Sequence, residues 1–131
     1  MSNSYGKKHR LKGKKQVSKI FDNPKNSISI FPFKLFYSIS TSKHGISQFG
    51  VSVPKRKFKK AVDRNKIKRL MREALRLNKI IVNKELSKRN VVLRVMILFN
   101  GEKIPGYNSV EIKIKEILKR LALGVESYEE K

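Results

Sequence analysis

Between Lys59 and Lys79 the chain sets Lys59, Lys60, Arg64, Lys66, Lys68, Arg69, Arg72, Arg76 and Lys79 against only two acids, Asp63 and Glu73. Like charges at helical neighbour spacings destabilise an isolated helix, so a run of this kind calls for a partner that neutralises it. The chemistry available to such side chains is polyanion binding: each neutralised phosphate releases condensed counterions, and arginine adds a planar fork of N–H donors. The whole chain agrees. Its 131 residues carry a formal net charge of +22, which puts nucleic acid well ahead of an anionic membrane surface as the partner.

Bond-breaking chemistry finds little support. A metal-dependent nuclease needs converging carboxylates or histidines. Asp22 and Asp63 follow different elements, Glu73 is a lone acid in a basic segment, and Glu111 and Glu116 lie five residues apart. His9 falls in a cationic stretch and His44 in a turn, where solvation or phosphate contact suits them better than the shielded setting of a general base. There is no glycine-rich phosphate loop, zinc spacing or nucleophile motif. With no cysteine, disulfides and thiolate metal sites are excluded, and a reducing compartment fits. We expect no catalytic residue and no metal held by the protein. Most of the aromatic residues read as core, with Tyr37 as the exception: beside a basic element on a sheet face it would stack an unpaired base, and Phe21 would complete the platform.

The elements that must position these residues follow from periodicity. A hydrophobic share of 39% supports one domain with a real core. No apolar run approaches the roughly 20 residues that span a bilayer, and MSNSYGKKHRLKGKK lacks the apolar core of a secretory signal; we expect a cytoplasmic protein without membrane contact. Residues 1–8 read as a mobile basic arm, 9–124 as the domain and 125–131 as an acidic tail carrying Glu126, Glu129 and Glu130. Val17, Ile20 and Phe21 share a helical spacing that Asn23-Pro24 stops. Ser27 to Thr41 is extended and interrupted at Pro32, Lys43-His44-Gly45 is expected to turn a hairpin, and Gln48 to Pro54 to return from it. In the basic segment, Ile67, Leu70, Met71, Ala74, Leu77 and Ile81 fall on one side of a helical wheel. Asn65, Lys68, Arg69, Arg72, Arg76 and Lys79 fall on the other. Asn90 to Phe99 is apolar nearly throughout, as in a strand buried on both faces. A last helix is expected from a capping box of Asn108 and Glu111, with Val110, Ile114, Ile117, Leu118 and Leu121 as its core stripe and Gly124 closing it.

The stretch FGVSVPKRKFKKAVDRNKIKRLMREAL resembles the bacterial ribonuclease P protein family, whose signature is a glycine-containing strand, a basic turn and an Arg-Asn-Arg helix. Here the motif reads Arg64-Asn65-Lys66-Ile67-Lys68-Arg69-Leu70-Met71-Arg72-Glu73-Ala74-Leu75, and the likeness extends from HRLKGKKQVSKIF to the closing helix, roughly residues 9 to 123. The resemblance implies an α/β (α+β sandwich type) fold: one sheet of about four strands with helices packed on it, and a left-handed βαβ crossover like that in the second domain of a small-subunit ribosomal protein. The hand comes from the resemblance alone, because parallel crossovers are otherwise right-handed in about 98% of cases.

It further implies a subunit of an endoribonuclease in which a large RNA carries out the Mg2+-dependent removal of the 5′ leader from precursor tRNA. One protein joins each RNA subunit. By position, Lys55, Arg56, Arg64, Asn65, Lys66, Lys68, Arg69, Arg72, Arg76 and Lys79 would contact the ribonuclease P RNA, while Val17, Phe21 and Tyr37 would line a leader cleft between the first helix and the sheet. Three departures stand out. Lys66 replaces the second arginine of the motif and cannot offer a bidentate fork. Val17 stands where many members place an aromatic, and the turn holding Lys57, Phe58 and Lys59 is one residue longer than the commonest form. The alternatives are a ribosomal or other structural RNA-binding protein, and a protein-only ribonuclease.

Overall fold

Strand β4, Val91–Phe99, alternates two apolar sets, and the computed structural model places it inside a sheet. The structure describes residues 26–41, 46–86 and 88–127. The basic arm, the expected first helix with Val17, Ile20 and Phe21, the expected turn at Lys43-His44-Gly45, and Glu129 and Glu130 lie outside the described residues. β1 (Ser27–Ile30), β2 (Phe33–Thr41) and β3 (Ile46–Ser52) complete a sheet in the order β1-β2-β4-β3.

β1 and β2 form an antiparallel hairpin around Phe31-Pro32, joined by a cis peptide, with Ile30 opposite Phe33. Pro32 has no N–H for a ladder, and its carbonyl accepts the Asn100 N–H at 2.7 Å instead. The expected β2–β3 hairpin is not formed. β4 separates the two strands, pairing antiparallel with β2 and parallel with β3. A strand with apolar residues on both faces is most stable with a neighbour on each edge, and that demand overrides the adjacency of β2 and β3 in sequence.

The parallel β3–β4 pair is bridged by helices α1 (Ala61–Asn78) and α2 (Ile80–Leu86). α1 buries Ile67, Met71, Ala74 and Leu75, and α3 (Tyr107–Glu126) buries Val110, Ile114, Ile117, Leu118, Leu121 and Val125. Together with Leu35, Phe49, Leu93, Val95 and Ile97 these make one core on one side of the sheet. Each fully buried aliphatic side chain stabilises the fold by about 1.5–3 kcal/mol. The expected wheel was right about Ile67, Met71 and Ala74 and wrong about Leu77, which is 47% exposed. Leu75 takes its place, because the chain turns at Lys79 between α1 and α2 and the helix need not extend its stripe further.

Two local expectations at α3 are also corrected. Gly106 is the N-cap and no side chain caps the helix, so Asn108 and Glu111 lie within the helix and form no capping box. Pro105-Gly106 starts the helix upstream of Asn108, and Glu111 accepts a hydrogen bond from the Tyr107 hydroxyl at 2.8 Å. Gly124 does not end the helix either. α3 continues to Glu126 with Val125 fully buried, so the folded unit runs past residue 124. At the far end of the core, the Phe99 ring meets Phe33 at 5.5 Å and Phe58 at 5.9 Å. A β-carbon at Gly101 would lie 2.5 Å from that ring, so only glycine fits there.

Candidate nucleic-acid interface

α1 offers its basic residues at spacings that follow the helical repeat. Asn65, Arg69, Arg72 and Arg76 recur at intervals of four, three and four residues, so they share a stripe, opposite the buried Ile67, Met71 and Ala74. With Glu73 they line a shallow groove of about 360 Å³. Among the described residues, Lys66, Lys68, Arg69 and Arg72 have no hydrogen-bond or ion-pair partner, so their charge is left for a ligand. Lys79, at the helix end, has its pKa lowered by burial and by the nearby charge of Arg76.

Arg64 behaves differently. Its Nη1 donates to the Phe58 carbonyl at 2.7 Å and to the Lys59 carbonyl at 2.9 Å, so the first arginine of the motif fastens the preceding turn to the helix start. The turn is anchored twice more. Phe58 is buried against Phe99, and Lys57 Nζ donates to the Asn100 carbonyl at 3.0 Å and lies 3.7 Å from Glu102. Lys57 and Phe58 thus hold the turn, while Lys55, Arg56 and Lys59 are exposed on it. The result is one cationic surface that runs from the turn along α1.

In the sequence Glu73 is only a lone acid in a basic segment, and nothing there gives Tyr107 a role. The Arg76 guanidinium donates to both oxygens of Glu73, from Nε at 3.1 Å and from Nη2 at 2.5 Å. That hydrogen bonding holds the Glu73 carboxyl below the usual range and raises Arg76 further. Tyr107, on the first turn of α3, is pushed up to about 12 by burial, by its hydrogen bond to Glu111 and by the charges of Glu111 and Glu73. Among the described residues no group of three or more His, Cys, Asp or Glu side chains could hold a metal ion, and no helix is long and apolar enough to cross a membrane.

Tyr37 is not where a base-stacking platform would need it. Along β2 the parity places it with Phe33 and Leu35, on the helix-packed side, where it packs against the core cluster. Its neighbour Phe36 takes the opposite face with Lys34, whose ammonium lies 5.2 Å from the Phe36 ring centroid. On β4 that face carries Arg94 and Met96, opposite Ser38 and Phe36. Arg94 Nε donates to Gln48 on β3 at 3.2 Å. The signal for this second surface was in the sequence: charged Lys34 alternates with buried Phe33 and Leu35, which assigns residue 36 to the lysine's side.

Known proteins resemble this chain in sequence and in fold. The family model described as Ribonuclease P matches residues 5–122. The chain is 32% identical over 122 residues to the ribonuclease P protein component of Porphyromonas gingivalis, covering 92% of this chain and 88% of that one. It is also 32% identical to the corresponding protein of Chlorobaculum tepidum, with 84% and 77% covered. Among solved structures, the RNase P protein of Staphylococcus aureus superposes with a TM-score of 0.64 at 21% identity, over 86% of this chain and 94% of that one. The RNase P protein of Thermotoga maritima superposes at 0.62 with 24% identity, over 85% and 96%. Sequence likeness along almost the full length and a shared fold lead to one assignment: this chain belongs to the ribonuclease P protein family.

Proposed function

We propose that this chain is the protein subunit of ribonuclease P, an endoribonuclease in which the RNA subunit performs the chemistry and the protein assists cleavage of the 5′ leader from precursor tRNA. The observation that carries this reading is the stripe Asn65, Arg69, Arg72 and Arg76, presented opposite the buried face of α1 in a member of this family. Arginine forks suit phosphate oxygens, and a packed helix fixes the spacing of their backbone positions before binding. Lys55, Lys66, Lys68 and Lys79 extend the contact as point charges, Arg56 adds a further fork, and Arg64 contributes by shaping the turn.

Leader contacts in this reading belong to the sheet face that carries Phe36, Lys34 and Arg94, with Val17 and Phe21 of the expected first helix as their companions. An aromatic ring flanked by cations suits a single strand, whose bases stack while its phosphates are neutralised. The Mg2+ required for hydrolysis is assigned to the RNA subunit, and one protein joins each RNA. The test is precursor tRNA cleavage at limiting magnesium by a bacterial ribonuclease P RNA, by the protein, and by both together. Protein alone should not cut, and adding it to the RNA should raise the cleavage rate. Cleavage by RNA-free protein, or no effect of the protein on the RNA, would end this reading.

A further inference from the structure

Among the described residues that line the α1 groove, Glu73 is the only acid. By charge counting alone it is a defect, since it removes a positive charge from a surface facing polyanion. Its geometry suggests otherwise. Arg76 engages it through Nε and Nη2, which leaves both hydrogens of Nη1 and the second of Nη2 on the other edges of the guanidinium plane. Side-chain exposures of 34% for Arg76 and 45% for Glu73 leave those edges within reach of a ligand. Among the described residues nothing else competes for those donors, since Glu73 is the only hydrogen-bond or ion-pair partner of Arg76.

We infer that Glu73 is a positioning residue: it locks the Arg76 guanidinium so that its remaining N–H donors are already aimed at a phosphate of the RNA subunit. An unheld arginine must lose rotamer freedom on binding, whereas a clamped one has lost it beforehand. The inference rests on the proposed role of α1 as the RNA-facing surface.

Binding of the full-length chain to a bacterial ribonuclease P RNA, followed over a salt series, tests it. Glu73→Ala should weaken binding by about two- to tenfold, even though the change makes the chain more cationic. In an Arg76→Ala background the same substitution should leave affinity unchanged or raise it, because only the charge term remains. Glu73→Gln keeps one acceptor for Arg76 and should fall between the wild type and Glu73→Ala. Tighter or unchanged binding by Glu73→Ala overturns the inference, and so does an equal loss in both backgrounds. Arg72→Ala separates this from the underlying reading. If it does not weaken binding, the RNA-facing role of α1 fails; if it does while Glu73→Ala does not, only the positioning role fails.

Discussion

Tyr37 lies across Gly124, its hydroxyl oxygen 2.9 Å from the place a β-carbon would occupy at residue 124. The contact joins β2 to the last turn of α3 and explains a glycine inside a helix, where it is otherwise unfavourable by about 1 kcal/mol relative to alanine. Tyr37→Ala should therefore lower stability by roughly 2–3 kcal/mol, somewhat less than truncating a fully buried aromatic, and any binding loss should fall equally on leader-bearing and leaderless RNA. Gly124→Ala should stabilise the Tyr37→Phe chain, in which the clashing oxygen is gone, more than it stabilises the wild type. Urea unfolding of the four chains measures this, and an equal gain in both backgrounds would refute the contact.

Arg64 and Arg72 lie on one helix and should fail in different ways. Arg64→Ala breaks two hydrogen bonds to turn carbonyls and should cost about 1.5–3 kcal/mol of stability, the range for charged donors. Arg72→Ala should leave thermal unfolding nearly unchanged while making the salt dependence of RNA binding shallower by about 0.7–0.9 per lost phosphate contact. Ile67→Ala, at a fully buried position, should destabilise by about 2–5 kcal/mol. If Arg72→Ala unfolded the protein and Ile67→Ala did not, the faces of α1 would be reversed.

Phe36→Ala tests the sheet surface. A stacked base is worth about 1–3 kcal/mol, so the variant holoenzyme should bind precursor tRNA with several leader nucleotides more weakly by that amount and mature tRNA almost unchanged. Equal effects on the two RNAs would show that Phe36 serves packing instead.

Tyr107 makes an alkaline prediction. Its ionisation is raised from the ordinary value of 10.0 to about 12, burial being the largest cause. A raised folded-state pKa means that the unfolded chain loses this proton first, so the contribution of Tyr107 to stability is complete below pH 10 and is lost as pH rises toward 12. Ultraviolet titration should show a late tyrosine ionisation that is absent in Tyr107→Phe. A late step that survives in Tyr107→Phe would assign it to another residue.

Local patterning carried much of this far. The double apolar set of β4 announced a central strand, the wheel separated Ile67 and Met71 from Arg69 and Arg72, and the repeat from Val110 to Leu121 announced α3. These signals are legible because burial on one face imposes a period that needs no knowledge of the partner. Even the outward face of Phe36 is legible from the charged Lys34 two residues before it on the same strand. Partner choice is another matter. That β3 pairs with β4 and not β2, that Arg64 bends back to the carbonyls of Phe58 and Lys59, that Glu111 serves Tyr107 and not a cap, and that Gly124 receives a ring from β2 all depend on groups brought together from separate parts of the chain. Periodicity states which side of an element is buried, but what it is buried against depends on how distant segments share one core, and a single glycine or arginine reads the same in sequence whether it ends a helix, binds phosphate or holds a turn.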